Sequence, residues 1–265
     1  MIRHALAVVI ALLPAIASAK VAEVAVGTRY TSFHYKEILT APAKSTETVT
    51  YPSLLAEGRV FIAPKTFFQF SYEDAQKVNS NYDGASLTTG APVTGTNPIS
   101  FNTMELSGYF AVTDFLSLYA AYGMRKWNRF LSGGTGYREI YTWNYLSLGA
   151  QYWMALSPAL DFGVDLCLRQ PSGGKIKVIT SETFSGGEDS TMNLGAKTGY
   201  RLALPFIWHV DRVSVTGAPF YEISKIGQSN VVTNATLAPT PGTGIQEPSS
   251  ETVQYGVELT LAVGF

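Results

Sequence analysis

Few side chains in this sequence are suited to acid–base or nucleophilic chemistry, and they are widely scattered. His34 lies near the end of a predicted strand and His209 lies in a predicted turn at the opposite end of the sheet, so we expect no shared catalytic or metal centre. Cys167 alternates with Asp165 and Arg169 on one predicted strand face, with no histidine assigned beside it for nucleophilic catalysis. A single cysteine also excludes an internal disulfide and a cysteine-rich metal site. We therefore predict no catalytic, metal-binding or cofactor-binding residues.

The run at 133–136, Gly-Gly-Thr-Gly, has the composition of a phosphate-binding loop but not its context. Phosphate loops open a helix, whose N-terminus binds the anion. This run connects two predicted strands, so we interpret it as a tight surface turn.

A larger group of polar side chains alternates with apolar residues along the chain. The acidic members are Glu23, Glu57, Glu73, Glu105, Asp161, Asp165, Glu222 and Glu258, and the basic members are Arg29, Arg59, Arg125, Arg169, Lys197 and Arg201. Because unpaired buried charge is costly, we expect charges of both signs on one enclosed face to form ion pairs. The predicted network comprises Glu57, Arg59, Glu105, Arg125, Asp165, Arg169, Lys197, Arg201 and Glu258.

The composition limits the class of protein that this chain belongs to. Of its 265 residues, 15% are charged, whereas an ordinary soluble domain has roughly 25%. The net charge of −1 lacks the basic excess that nucleic-acid binding requires. A β protein rich in loops, or a membrane protein, fits this composition.

The first residues have the pattern of a secretory signal peptide. A basic start at Arg3 precedes an apolar run at 5–17, which is too short for a transmembrane helix of about 20 residues. Small residues at 17–19 predict cleavage after Ala19. We therefore predict a signal peptide at 1–19 and a single β-barrel domain at 20–265.

The remaining sequence alternates with a period of two, which is typical of strands with one apolar and one polar face. The C-terminus shows this best, with apolar residues at Val253, Tyr255, Val257, Leu259, Leu261, Val263 and Phe265. The alternation predicts ten strands, at 20–37, 50–63, 66–78, 99–112, 115–130, 138–154, 159–170, 190–205, 211–225 and 250–265.

The predicted connections alternate strictly in length. Long connections rich in Ser, Thr, Gly and Asn fall at 38–49, 79–98, 131–137, 171–189 and 226–249, and short ones fall at 64–65, 113–114, 156–158 and 206–210. This asymmetry is typical of bacterial outer-membrane barrels, and a soluble sandwich has no reason for it. We predict an all-β fold, a closed antiparallel transmembrane β-barrel of about ten strands, with eight or twelve strands as alternatives.

In such a barrel the apolar faces contact lipid and the charged faces line the lumen. Aromatic residues near strand ends are expected to form interfacial girdles. The candidates are Tyr30, Tyr35, Tyr51, Trp127 and Tyr141 on the loop side and Phe115, Tyr152, Trp153, Trp208 and Phe265 on the turn side. The long connections at 79–98 and 226–249 lack the apolar periodicity to build a core. A narrow lumen with paired charges favours a closed interior, with a narrow pore or a polar ligand site as alternatives.

The C-terminus resembles the terminal-strand signal of Gram-negative outer-membrane proteins, in which a final Phe follows apolar residues at alternate positions. Residues 220–230 and 246–265 also resemble the last hairpin of small opacity-protein-like barrels. The resemblance implies that the outer-membrane assembly machinery reads Phe265, Val263, Leu261 and Tyr255. It implies no catalytic residues.

These observations predict an integral protein of the Gram-negative outer membrane with a non-enzymatic surface or structural role. Its expected partners are outer-membrane lipid, lipopolysaccharide and the assembly machinery, and the sequence points to no particular external ligand, cofactor or nucleic acid. One alternative function is a small porin-like diffusion channel. Another is a rim-active hydrolase of lipid or peptide, for which His34 lies at the appropriate level with only Glu37 nearby.

Overall fold

The computed structural model describes residues 21–39, 45–63, 65–85, 90–131, 136–237 and 244–265, and the predicted signal peptide and most of the glycine-rich run lie outside these residues. Apart from turns and bends, the secondary structure of the described residues is entirely β. The strands are β1 Ala22–Glu37, β2 Thr46–Ala63, β3 Thr66–Ala85, β4 Pro92–Ala111, β5 Leu116–Leu131, β6 Tyr137–Ser157, β7 Leu160–Ile179, β8 Ser190–Asn193, β9 Gly195–Ala203, β10 Phe206–Val210, β11 Val213–Gly227, β12 Val232–Thr233, β13 Gly244–Ile245 and β14 Ser250–Gly264. No helix of the described chain has both the length and the hydropathy to cross a membrane.

The strands close into an antiparallel barrel with a wall of ten strands. β1 to β7 pair in sequence order, and β1 also pairs with β14 from Glu23↔Gly264 to Glu37↔Ser250. β14 pairs with β11. The eighth position of the wall, between β7 and β11, is filled by the consecutive segments β8, β9 and β10. The predicted fold and strand number are confirmed.

A belt of large apolar side chains surrounds the half of the barrel nearest the short turns. Its members point outward and are exposed, as the alternation predicts for a lipid-facing surface. They include Val26, Phe68, Phe70, Met104, Leu106, Leu118, Tyr122, Met124, Leu146, Leu148, Leu166, Leu168, Leu202, Leu259 and Leu261. Beyond the belt, toward the long connections, the outward residues become polar: Asn102, Lys126, Thr142 and Lys175 are neighbours in register across β4 to β7.

Several strands are longer than predicted because polar sequences continue the ladder above the belt. The segment 79–98, predicted to be a loop, forms most of a hairpin in which β3 pairs with β4 up to Ala85↔Pro92. β7 likewise continues to Ile179. The prediction was wrong because Asn, Ser, Thr and Gly discourage strands only weakly where cross-strand pairing stabilises them, and because the inward Ser80 and Asn97 both donate to the buried Glu47.

One predicted turn is a strand. Phe206–Val210 pairs with both β7 and β11, and the tight turn lies instead at Asp211, which has a φ of 54°. Asp tolerates this left-handed conformation better than most residues, so it was the better turn candidate.

The hydrogen-bonded ladder is interrupted at two places in the upper wall. Between β7 and β9 the pairing stops after Arg169↔Gly199 and resumes between β7 and β8 at Lys175↔Asn193. Between β2 and β3 it stops at Leu54↔Asp74 and resumes at Thr48↔Asn81.

Candidate functional site

The inward faces of the strands divide the lumen into two layers of different chemistry. The layer near the short turns is lined by charged residues, and the layer near the long connections is filled by aromatic and aliphatic side chains. The candidate functional features of the chain are therefore these two layers and the loops that cover the upper one.

Three arginines and their carboxylate partners form the centre of the charged layer. Arg29 Nη1 lies 2.6 Å from Glu73 Oε2, and Arg29 Nε donates to Glu258 Oε1 at 2.7 Å. Arg201 Nη2 donates to the same Glu258 oxygen at 2.8 Å. Arg59 Nη1 lies 2.8 Å from Glu23. Two positive groups thus share Glu258, so its charge is balanced within the lumen.

A second group of ion pairs centres on Glu222, which is 1% exposed. Arg125 Nη1 lies 3.1 Å from one of its oxygens and Arg169 Nη1 lies 2.7 Å from the other. Arg169 also approaches Glu105 at 3.7 Å. Glu222 was on the predicted charged face but was left out of the predicted network, although it is the acid with the shortest contact to Arg169.

The remaining predicted network residues lie at the edge of this layer. Glu57 pairs with Arg59 at 3.1 Å. Asp165 accepts hydrogen bonds from the Tyr119 hydroxyl at 2.8 Å and from Gln151 at 2.9 Å, and its carboxylate lies 4.0 Å from Arg201.

Lys197 is a correction to the predicted network. A bulge in the β9–β11 ladder lies between Ile223↔Tyr200 and Lys225↔Lys197. The extra residue on β9 moves Lys197 to the outer face, where it is exposed and donates to Ser249 Oγ at 3.3 Å. Strict alternation places Lys197 inward, and a bulge breaks that alternation.

A cavity of about 520 Å³ lies within the charged layer and extends to the turn rim, where Lys65, Asp114 and His209 line it. Two lining tyrosines occupy space that small wall residues leave free: a Cβ at Gly149 would collide with the Tyr119 ring, and one at Gly123 would collide with Tyr145. These glycines let both rings lie against the wall. Glu105 and Tyr145 line the cavity beside Arg169, whose guanidinium lies 3.7 Å from Glu105 Oε2 and 5.1 Å from the centroid of the Tyr145 ring.

The upper layer is an aromatic plug centred on Trp127. Its ring centroid lies 4.7 Å from that of Tyr141, 5.1 Å from Tyr35 and 5.6 Å from Phe33. The full set of buried plug residues is Phe33, Tyr35, Tyr51, Ala75, Ile99, Phe101, Trp127, Tyr141, Ile176, Val178, Met192 and Ile226.

The plug corrects the predicted loop-side girdle. Tyr35, Tyr51, Trp127 and Tyr141 are at most 2% exposed and point into the lumen, whereas Tyr30 faces outward. On the turn side Phe115, Tyr152, Trp208 and Phe265 are exposed, but Trp153 lines the cavity. The alternation already indicates that these rings point inward. Trp127 lies two residues after the inward Arg125, and Tyr35 lies six residues after the inward Arg29, so each pair shares one face of its strand.

Arg129 is the cation within the plug, and sequence reasoning missed it. Its Nε donates to Glu139 at 2.8 Å, and its Nη2 donates to the Tyr141 hydroxyl at 2.9 Å. Its Nη1 lies 3.6 Å from Glu47, which is fully buried. The guanidinium also lies 5.0 Å from the centroid of the Trp127 ring, a cation–π contact.

The long connection before β14 covers the plug. Val232, Leu237 and Ile245 pack against it, and β12 pairs with β13 in a short hairpin. Glu247 accepts hydrogen bonds from the Tyr141 hydroxyl at 2.7 Å and from the Tyr35 hydroxyl at 3.1 Å. The prediction that 226–249 adds nothing to a core was wrong, because single apolar residues in a loop leave no periodic pattern.

A second connection braces this cover. Asn234 donates to the carbonyl of Glu188 and to the hydroxyl of Ser190, both at 2.8 Å. The backbone N–H of Glu188 donates to Thr236 at 2.9 Å. The described parts of the two connections therefore form one structured cap, which we call the loop cap (residues 180–189, 228–237 and 244–249).

Glu247 is the titratable group that joins the loop cap to the plug. Burial raises its pKa to about 8, and the neighbouring carboxylates of Glu139 and Glu37 act in the same direction, whereas Arg129 opposes them. Glu247 is buried beside two other carboxyl groups and only one arginine, and this environment favours its neutral form.

The candidate nucleophiles and bases lie apart from these features. His34 is on the outer face, with its ring stacked on Tyr255 at 5.6 Å between centroids. His209 lies at the turn rim, 3.0 Å from Asp161. Cys167 is a buried free thiol. Within the described ranges, His, Cys, Asp and Glu form no group that could hold a metal ion.

Three of the predicted assembly-signal residues lie on the outer face of β14, and Phe265 directly follows that strand. Tyr255, Leu261, Val263 and Phe265 are all exposed toward the belt. Their recognition by assembly machinery stays a prediction.

No protein-family model matches the sequence, and no curated protein matches it. Its fold is similar to that of the outer membrane protease OmpT from Escherichia coli, with a TM-score of 0.58 and 10% sequence identity over 92% of this chain and 96% of that one. The translocator domain of the autotransporter NalP from Neisseria meningitidis matches at a TM-score of 0.49 and 9% identity, over 99% of this chain and 94% of that one. The likeness to OmpT shows that the chain has the fold of an outer-membrane β-barrel.

Proposed function

We propose that this chain is an integral protein of the Gram-negative outer membrane whose barrel is closed and whose strands hold a structured loop cap at the cell surface, in a structural rather than enzymatic role. The aromatic plug is the observation that carries this proposal. Its rings lie across the upper half of the lumen, and Val232, Leu237 and Ile245 of the loop cap pack on them from above. A barrel of this kind exposes its loops to the outside and gives solutes no continuous path.

The outer surface supports the proposed location. The belt of outward apolar side chains begins at the short turns and ends where Lys126 and Thr142 begin the polar surface. Such a belt is stable against lipid, and closure of the wall satisfies backbone groups that lipid cannot. Outer-membrane lipid and lipopolysaccharide would contact the belt and the polar surface above it, after removal of the signal peptide and insertion by the assembly machinery.

The two alternative functions find less support. A diffusion channel needs a continuous lumen, and the cavity in the charged layer ends at the plug. A rim hydrolase would need His34 beside carboxylates, but this ring faces outward against Tyr255.

Conductance in planar bilayers tests the closed barrel. We expect the refolded wild-type protein to show no stable unitary conductance, and we expect the double variant Phe101→Ala, Trp127→Ala to conduct, because it removes two stacked rings from the plug. The control Tyr109→Ala, Tyr119→Ala removes a stacked pair of rings from the cavity wall instead, and we expect it to stay silent.

Slower gel migration after boiling would show that each variant was folded before heating, because a closed barrel resists detergent until heated. Stable conductance by the wild-type protein would overturn the proposal in favour of a channel.

A further inference from the structure

The outer surface of β5 to β9 carries a polar area directly above the apolar belt. Lys126, Thr142 and Lys175 are successive neighbours in register across β5, β6 and β7, and all three side chains are exposed. Two strand spacings of about 4.8 Å place the backbones of the two lysines about 10 Å apart. Both ammonium groups can therefore reach one ligand that lies over Thr142.

Uncharged polar side chains continue this area downward on β6, β7 and β9. They are Asn144, Ser172, Gln170 and Thr198. Asn144 lies beside the exposed Met124 in register and so shares its outer face. Gln170 lies beside the exposed Leu146 in the same way. The side chains of Gln170 and Thr198 share a hydrogen bond of 2.6 Å, so they form a continuous polar floor across the wall.

A third lysine stands at the far edge of the area. The bulge in β9 turns Lys197 outward, next to Thr198, and its ammonium donates to the Ser249 hydroxyl. Lys126 and Lys175 make no hydrogen bond or ion pair with another described residue. We call this group of residues the lysine patch: Lys126, Thr142, Asn144, Gln170, Ser172, Lys175, Lys197 and Thr198.

The lysine patch has no carboxylate on its own strand segments. No Asp or Glu occurs in the four stretches that carry it: 124–128, 140–146, 168–177 and 191–198. Other outward lysines above the belt have an acid close by. Glu251 lies between Lys36 and Lys225 in register, and Asp74 lies three residues before Lys77 on β3. The uncompensated positive charge therefore distinguishes the lysine patch from these positions.

The lower edge of the lysine patch is apolar. Met124, Leu146, Leu168 and Tyr200 are exposed there as part of the lipid-facing surface. An ammonium group binds phosphate as a point charge, and amides and hydroxyls both donate and accept, as saccharide hydroxyls require. Separated cations, a neutral hydrogen-bonding floor and hydrocarbon directly beneath match a lipid whose headgroup is a phosphorylated saccharide.

We propose that the lysine patch binds the phosphorylated saccharide headgroup of lipid A, the membrane anchor of lipopolysaccharide. A phosphate lies over Thr142 between Lys126 and Lys175, the saccharide lies on the polar floor, and the acyl chains run down the belt. This inference rests on the proposed outer-membrane location, because in that orientation the lysine patch meets the outer leaflet. The site lies outside the wall, so it does not depend on the state of the lumen.

Native mass spectrometry of the refolded protein in detergent micelles, titrated with diphosphoryl lipid A, tests the site. The test variant is Lys126→Gln with Lys175→Gln. The matched control is Lys36→Gln with Lys77→Gln, which removes the same charge from exposed lysines outside the lysine patch. Slower gel migration after boiling would show that each variant was folded before heating.

We expect the test variant to bind lipid A about 25-fold more weakly than wild type, because each lysine near an anionic lipid surface contributes roughly fivefold. The control should stay within about twofold of wild type, since charges beyond a Debye length are largely screened. Phosphatidylglycerol, which is anionic but has no saccharide, should bind the wild-type protein more weakly than lipid A.

Three results would each overturn the site. They are unchanged binding by the test variant, equal weakening in the test and control variants, and phosphatidylglycerol binding as tight as that of lipid A. The second result would reduce the effect to net charge, and the third would remove the role of the polar floor. None of them alters the conductance of the wild-type protein, which tests the closed barrel separately.

Discussion

At the scale of single residues, the plug depends on one arginine. Arg129 is 2% exposed and faces Glu139, Glu47 and the Tyr141 hydroxyl from the same guanidinium. Removing one member of a buried ion pair leaves its partner charged in a medium that solvates it poorly. The carboxylates around Arg129 are therefore stable as anions only while it is present.

We expect Arg129→Met to lower the free energy of unfolding by about 3–5 kcal/mol, because it leaves buried carboxylates without a cation. Equilibrium unfolding in urea of the lipid-reconstituted barrel, followed by tryptophan fluorescence, measures this loss. Arg138→Met is the control, since Arg138 pairs with Glu182 on the exposed surface and such pairs contribute less than about 1 kcal/mol. Similar losses in the two variants would argue against Arg129 as the centre of the plug.

Glu247 gives the loop cap a dependence on pH. Its pKa of about 8 in the folded protein lies above the ordinary value of 4.5, so the folded state holds a proton that the unfolded state releases. The contribution of this proton to stability is complete below pH 4.5, declines as the pH rises from 4.5 to 8, and is absent above 8. The loop cap should thus bind the plug more weakly in alkaline solution.

A spin label on Ala235→Cys, in the Cys167→Ala background, reports this weakening as a mobile component that grows between pH 6 and pH 9. Ala235 is an exposed residue of the loop cap. Glu247→Gln keeps a neutral group on the Tyr35 and Tyr141 hydroxyls, so its spectrum should be the same at both pH values. A pH-dependent spectrum in that variant would assign the transition to another group.

At the scale of elements, the alternation of apolar and polar residues is sufficient to predict the ten wall strands within the belt, their order and the lipid-facing side, but not their polar extensions above the belt or β10. It failed where a bulge intervenes, as at Lys197, because one extra residue exchanges the two faces of a strand. Trp127 and Tyr141 were also assigned wrongly. They were placed in the outer girdle because they are aromatic, although the alternation puts both of them on the inward face. The loop cap was unpredictable for another reason: its contacts join residues such as Glu247 and Tyr35, which are far apart in sequence and share no local pattern.

The free-energy cost of placing a charge on the outer face should depend on the depth of the position in the membrane. Leu118→Arg places a cation against hydrocarbon and should cost about 2–4 kcal/mol near the midplane, as urea unfolding in lipid vesicles would measure. Thr142→Arg lies on the same outer surface above the belt, where the cost falls to about 0–1 kcal/mol. If both substitutions cost the same, the belt does not end below Thr142.

At the scale of the whole molecule, the two ends of the barrel should differ in access and in tolerance to insertion. A tag after Gly90, an exposed residue with a φ of 69°, should be detected on intact cells and leave thermal stability unchanged. A tag after Asp114 should be detected only after the outer membrane is permeabilised. Labelling of the Asp114 tag on intact cells would reverse the topology.

An insertion after Gly244, at the same end of the barrel as Gly90, should have a different effect on stability from the tag after Gly90. Gly244 pairs with Thr233 in the short hairpin of the loop cap, and Glu247 follows it closely. We therefore expect this insertion to be detected on intact cells but to lower the unfolding midpoint. An unchanged midpoint would mean that the loop cap adds little to stability.

In the proposed orientation, the length of the β3–β4 hairpin sets how far the protein projects from the cell. β3 runs on to Ala85, 15 residues past the belt residue Phe70, which at about 3.3 Å per residue and a tilt of about 40° gives a height of roughly 38 Å. The tips of this hairpin would then stand clear of the glycans nearest the membrane, within reach of antibodies, phage or other cells.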